Sequence, residues 1–272
     1  MTKIGFVGTG QMAQALAGGI SSSNRQVSFV IADPSHLAID AFKQRVVGSS
    51  VDKVDSNADV FANADIVFLA VKPQYFETAI QCEEIEPAIA DRQQPPLVVS
   101  VMAGINIGLI ANRTSINSII RVMPNTPCLV GAGACGMSCS EQVSDSQRDQ
   151  VKSFMETTGI VVPVAENLLD AVTGLSGSGP AYIFELIDAL ALGGVKTGLP
   201  RSVADQLAAQ TVFGAAKLAI ESGEHPSVLR DRVTSPGGTT IAGLKALYDN
   251  GFQQAAISAV EAATNRSKEL GG

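Results

Sequence analysis

The residues whose types and spacing could do chemistry come first in the chain: Gly8-Thr9-Gly10-Gln11-Met12-Ala13 follows the apolar run Ile4-Gly5-Phe6-Val7 and leads into a helix-like stretch, residues 14–20. That order suits a dinucleotide pyrophosphate. Gly8 permits a tight turn off a strand, Gly10 puts no side chain in the way of phosphates, and Ala13 lets the helix lie close to the sheet with its N-terminus facing the negative charge. Asp33 closes a second apolar run, residues 26–32, and lies twenty residues past Ala13, near the spacing of a ribose-binding carboxylate. A free Asp33 would accept the ribose hydroxyls of NAD and repel the extra phosphate of NADP. Ser35, His36 and Lys43 could sit near a phosphate if Asp33 turned away.

Three further strand ends carry residues suited to a nicotinamide dinucleotide. They read Ala70-Val71-Lys72-Pro73-Gln74, Val101-Met102-Ala103-Gly104 and Arg121-Val122-Met123-Pro124-Asn125-Thr126-Pro127. Small Ala or Gly side chains fit beside a ring, and Asn125 and Thr126 offer polar groups to an amide or ribose. Each also has a plain structural explanation: the prolines stop strands, Lys72 is solvated, and Asn125 caps a turn. Later in the chain, Gly174-Leu175-Ser176-Gly177-Ser178-Gly179-Pro180 and Val233-Thr234-Ser235-Pro236-Gly237-Gly238-Thr239-Thr240 each precede a helical stretch. In the second, backbone N–H groups and two threonine hydroxyls converge at a helix start, which suits a small carboxylate; the alternative is that Thr239 or Thr240 simply caps its own helix.

The elements that must position these residues alternate in the first part. Strand-like runs recur at residues 66–71, 97–101, 118–122 and 160–164, separated by helix or loop, so a mostly parallel sheet covered on both faces is expected. From about residue 166 the strand pattern stops. Residues 180–197, 201–222, 226–233, 240–250 and 252–270 all read as helices bounded by Gly and Pro. The fold class expected is therefore α/β, a Rossmann-type domain over residues 1–165 followed by an all-helical domain over residues 166–272. The stretch 201–222 is apolar nearly all round, and a helix without a polar face must be covered from every side. A second subunit is the expected cover.

A chain of 272 residues with 46% hydrophobic composition can bury a full core and form two domains. Its formal net charge of −7 and lack of a basic run argue against nucleic acid and against an anionic membrane surface. No apolar run reaches the roughly 20 residues of a membrane span, and the one early apolar segment carries the glycine motif rather than a signal sequence, so a cytoplasmic protein is expected. Cys82, Cys128, Cys135 and Cys139 read as reduced, mostly buried thiols. Only Cys135 and Cys139 have a suggestive spacing, and no metal site is expected.

Taken together, the Gly8-Thr9-Gly10 turn, Ala70-Val71-Lys72-Pro73, Met123-Pro124-Asn125-Thr126-Pro127, Ser176-Gly177-Ser178-Gly179-Pro180-Ala181-Tyr182 and Ser235-Pro236-Gly237-Gly238-Thr239-Thr240 resemble the pyrroline-5-carboxylate reductase family over nearly the whole chain. The resemblance implies that NADPH or NADH lies across the turn formed by Gly8, Thr9, Gly10, Gln11 and Met12, with Asp33, Asn57, Ala70, Val71, Lys72, Pro73, Met102, Ala103, Gly104, Asn125, Thr126 and Ser176 also on the cofactor side. It implies that the carboxylate of 1-pyrroline-5-carboxylate meets backbone amides around Ser235, Gly238, Thr239 and Thr240, and that the Thr240 hydroxyl is directed at the ring nitrogen as the catalytic group. Glu166 and Arg232 fall at positions lining the proline site in relatives, though Arg232 departs from the Asn found in some of them. The family forms intertwined homodimers, often assembled into rings of dimers.

Two other readings remain. A β-hydroxyacid dehydrogenase shares the N-terminal fold and a Gly-x-Gly segment opening a long helix, but it needs a lysine in that helix's first turn; here the place holds Ile183, and the next lysine is Lys196. A non-catalytic dinucleotide-binding regulator would keep the first turn with no reason to keep the polar loop before Thr240.

Overall fold

The computed structural model describes residues 1–23 and 26–271. Side chains along each central strand alternate between two cores, as a sheet buried on both faces requires. Ile4, Phe6, Phe29, Ile31, Ile66 and Phe68 point into one hydrophobic cluster, while Val7, Val30, Ala32, Val67 and Leu69 point into the other. Phe6 anchors the first, stacked on Phe68 at 4.9 Å and edge-on to Phe42 at 5.3 Å between ring centroids.

The strands are β1 (Thr2–Val7), β2 (Val27–Ala32), β3 (Val51–Lys53), β4 (Ile66–Leu69), β5 (Leu97–Ser100), β6 (Ile119–Met123), β7 (Gly133–Cys139) and β8 (Gly159–Pro163). They form one sheet in the order β3-β2-β1-β4-β5-β6-β7-β8. Every neighbouring pair is parallel except β6 and β7. The mostly parallel Rossmann-type sheet expected from the sequence is thus observed, with β3 and β7 added. The chain order reverses between β1 and β4, which is the topological switch point where sheets of this class bind ligands beyond their carboxyl ends.

By compactness the chain divides into two units, one comprising Met1–Ser178 with Ala262–Gly272 and the other Gly179–Glu261. Residues 166–178 pack within the first. Leu169 and Val172 lie against Gly136 of β7, and Ser267 donates to the Asp170 carboxylate at 2.6 Å. The Gly-rich segment before Pro180, expected to interrupt the helices, instead continues one: Thr173–Gly177 is a π-helical turn that follows the helix Leu169–Val172.

In the second unit the helices are Gly179–Lys196, Arg201–Ser222, Pro226–Arg232, Thr239–Asp249 and the start of Phe252–Leu270, close to the bounds expected from the sequence. Arg201 ties the first two together through Asp188 at 2.6 Å, while it also pairs with Asp205 one turn along its own helix at 2.7 Å. Among the described residues, the buried hydrophobic side chains here are Ala191, Ala204 and Ala208. The helix Arg201–Ser222 leaves Leu207, Phe213, Leu218 and Ile220 exposed in the single chain. No helix among the described residues is long and apolar enough to cross a membrane.

Candidate active site

A cavity of about 750 Å³ opens at the switch point, lined among others by Gly8, Gly10, Asp33, Asn57, Ala70, Val71 and Lys72. These come from the turns after β1, β2 and β4 and from the start of the helix Asn57–Asn63. The local sequence explains why they meet. Gly8 has φ +88°, a conformation that admits glycine and strains other residues, so β1 turns sharply at its end. At Gly5 an added Cβ would lie 2.5 Å from a Val60 methyl and 2.9 Å from the Ala64 Cβ, so the bare backbone allows the helix Asn57–Asn63 to press on β1 and bring Asn57 to the cavity. Ser56 caps that helix in a reciprocal capping box with Asp59.

The residues fit a dinucleotide. Gly10 is the N-cap of the helix Gln11–Ser22 and makes no side-chain cap bond. The amides of Gln11, Met12 and Ala13 therefore have no acceptor within the helix. A Cβ on Gly10 would meet no atom within 4 Å, so the space that phosphates need is open. The dipole and free amides of such a helix start favour an anion.

Thr9 lies inside the turn. It is fully buried: its N–H donates to Asp33 Oδ2 at 2.7 Å and its carbonyl accepts from Gln14 Nε2 at 2.8 Å. Its hydroxyl has no partner among the described residues. Thr9 therefore shapes the turn. Asp33 also accepts the Ser35 N–H, on Oδ1, at 2.8 Å, so the carboxylate is held toward the glycine turn.

Several other expected cofactor residues are committed to the fold. Asn125 makes no side-chain cap bond to the turn that follows it, and both ends of its side chain have protein partners: Nδ2 donates to the Ser176 carbonyl at 3.0 Å and Oδ1 accepts from Ala134 N at 3.0 Å. The Ser176 hydroxyl donates to the Val172 carbonyl. Met102 is buried in the second core cluster, and Gly104, at φ +77°, lies against Leu270 and Gly271. Neither they nor Ala103, Pro73 and Thr126 line the cavity at the switch point.

Glu166, expected at the substrate, is held in the first unit. Its Oε1 accepts from Arg121 Nη1 at 2.8 Å and from Ile107 N at 2.7 Å. The Arg121 side chain is only 9% exposed against 35% for Glu166, so the pair neutralises a charge buried on β6. Sequence reasoning missed this pair, and its only signal was a lone arginine within the apolar run 118–122.

The loop before Thr239–Asp249 lies in the second unit. Gly238 is the N-cap, again without a side-chain cap bond, and Thr239 and Thr240 are the first two helical residues. The capping alternative is thereby removed. Gly237 turns the chain at φ +66°, Gly238 N donates to Ser235 O at 3.1 Å, and the helix's own bonding starts with Ala242 N to Gly238 O. The amides of Thr239, Thr240 and Ile241 therefore lack intrahelical acceptors, which is what a small carboxylate needs. Arg232, at the end of the preceding helix, pairs with Glu224 at 2.6 Å.

The fold also brings together a thiol pair that sequence spacing did not single out. Cys128 and Cys135 lie with sulfurs 3.8 Å apart, both buried, whereas Cys139 stands apart. The hydrogen bond to Cys128, then burial, push the Cys135 thiol above its ordinary range.

Comparison with known proteins agrees over the full length. Residues 166–270 match the family described as pyrroline-5-carboxylate reductase dimerisation, and residues 3–104 match that described as NADP oxidoreductase, coenzyme F420-dependent. Over 270 residues the chain is 42% identical to the pyrroline-5-carboxylate reductase of Synechocystis sp., covering 99% of this chain and 98% of that one. The chain belongs to the pyrroline-5-carboxylate reductase family. A reductase of this family from Coxiella burnetii superposes with TM-score 0.89 at 36% identity, covering 100% of this chain and 99% of the other. The pyrroline carboxylate reductase of Plasmodium falciparum, solved with NADP bound, gives TM-score 0.84 at 33% identity, covering 100% and 98%.

Proposed function

We propose that this protein reduces 1-pyrroline-5-carboxylate to L-proline with NADPH or NADH as hydride donor, the last step of proline biosynthesis, as a cytoplasmic, intertwined homodimer that can assemble into a ring of dimers. The observation that carries the reading is the start of the helix Thr239–Asp249, without a side-chain cap behind Gly237 and Gly238, in a chain where the glycine-capped helix start at Gly10 faces the switch-point cavity. One suits a ring carboxylate and the other a pyrophosphate. Residues 1–165 serve the dinucleotide, and residues 166–272 serve the substrate and the dimer contact.

When bound, the reduced nicotinamide supplies a hydride. The amides of Gln11 and Met12, with Gly8 and Gly10, would hold the pyrophosphate, Asp33 and Asn57 the adenosine end, and Ala70, Val71 and Lys72 would line the wall. Ser235, Gly238 and Thr239 hold the substrate carboxylate through the loop's backbone. The Thr240 hydroxyl would orient the ring nitrogen and help hold the proton on it that makes C5 electrophilic. A protonated cyclic imine is a good electrophile, so no protein nucleophile is needed; the protein's part is to bind and orient the reactants. The exposed apolar side chains of the helix Arg201–Ser222 support the homodimer.

The β-hydroxyacid dehydrogenase reading lacks its proton carrier, because the lysine of the helix Gly179–Lys196 stands at its last residue. The deciding experiment is oxidation of NADH and NADPH by the purified protein with 1-pyrroline-5-carboxylate, with L-proline identified as product. Turnover that yields proline is expected; no turnover, or turnover only with a hydroxyacid and NAD or NADP, would overturn the proposal.

A further inference from the structure

Asp33 does not sit loosely at the mouth of the cavity. Its two oxygens accept backbone N–H groups from opposite sides, Thr9 at 2.7 Å and Ser35 at 2.8 Å. Thr9 is fully buried, so its N–H cannot turn to water if the carboxylate leaves. An orphaned buried donor is what folded chains avoid. The escape considered from the sequence, in which Asp33 swings away to make room for a phosphate, therefore conflicts with the turn's own hydrogen bonding.

In the turn after β2 one backbone donor is already taken by the carboxylate itself. The Ser35 N–H is given to Asp33, and the Ser35 hydroxyl accepts from Ala38 N at 3.3 Å as the N-cap of His36–Arg45. Lys53, Lys72 and His36 line the cavity, but so do Asp55 and Glu84 besides Asp33. The lining thus gives a dianionic group no surplus of positive charge. A ribose 2′-hydroxyl is a different partner: it can donate to a remaining carboxylate lone pair without disturbing either backbone bond.

We propose that Asp33, clamped between Thr9 and Ser35, makes this chain select NADH over NADPH by meeting the ribose hydroxyls and repelling a 2′-phosphate. This rests on the reductase reading only in requiring that a dinucleotide occupy the cavity.

The test is direct binding to the full-length protein without imine substrate, by titration calorimetry with NADH and NADPH and, in parallel, with 5′-AMP and adenosine 2′,5′-bisphosphate. Wild type is expected to bind NADH at least about tenfold more tightly than NADPH, or roughly 1.4 kcal/mol, with the fragments ranked the same way. Asp33→Ser should shrink that ratio about tenfold or reverse it. Equal or tighter binding of NADPH by wild type, or an unchanged ratio in a folded Asp33→Ser, overturns the proposal. The wild-type fragment comparison decides the matter if the variant fails to fold. Binding of neither cofactor overturns the dinucleotide site itself, whereas clear NADH selection without proline formation overturns only the reaction proposed above.

Discussion

Phe6 and Phe213 are the same residue type with opposite surroundings. Phe6 on β1 has no exposed surface and touches three other rings, while Phe213 on the helix Arg201–Ser222 is 60% exposed. The contrast holds for the units around them. The first closes two apolar clusters over a sheet, whereas the buried hydrophobic side chains of the second, among the described residues, are three alanines. The first unit can be stabilised by its own core; the second carries apolar faces that the single chain leaves exposed, as the proposed homodimer requires.

Substitutions can break or sharpen that contrast. Phe6→Ala should cost about 3–5 kcal/mol, through lost burial and a cavity, in a denaturation midpoint that does not depend on protein concentration. Phe213→Ala should cost about 1.5–3 kcal/mol, but read out as weaker association by sedimentation velocity and as a concentration-dependent midpoint. Equal, concentration-independent losses from both would erase the distinction. Glu166→Gln removes the partner of a nearly buried arginine and should destabilise the first unit by about 1–3 kcal/mol in urea, with rescue when Arg121 is replaced by Met in the same chain.

Thr240→Ala tests function in the second unit. A loss of about ten- to a hundredfold in kcat/KM, roughly 1.4–2.8 kcal/mol, is expected in steady-state kinetics with denaturation unchanged, and unaltered kinetics would remove Thr240 from the reaction. The smallest effect lies back in the first unit. Thr9→Val removes a buried hydroxyl without a partner among the described residues and should raise stability by up to about 1 kcal/mol, seen as a higher denaturation midpoint.

What was legible in the sequence follows from the range of the interactions. The turn from Gly8 to Gly10, its strand and its helix lie within one short segment, and the helices of the second unit are bounded by local Gly and Pro signals, so both could be read directly. β7 was missed because its residues, Gly-Ala-Cys-Gly-Met-Ser-Cys, are small and lack the β-branched pattern of a strand. β3 was missed because Val51-Asp52-Lys53 is short and mostly polar.

Among site residues, the protein partners of Asn125 and Glu166 were not legible because they lie far along the chain, at Ser176 and Arg121. No window of sequence contains both ends of either contact. The loop at Thr239 and Thr240 was ambiguous for the opposite reason: capping and binding use the same residues, and they are told apart only by whether a side chain bonds the helix start. The structure shows no such bond.

The smallness of β7 carries its own consequence for mutational tolerance. A methyl group on Gly133 would collide with the Cys128 sulfur, one on Gly136 would sit 2.9 Å from both Val172 methyls, and one on the neighbouring Gly159 would strike the Gly133 backbone. In a saturation screen this edge of the sheet should invert the usual ranking, with glycine-to-alanine, ordinarily among the mildest of exchanges, harming these three positions while many exposed charges elsewhere are replaced freely.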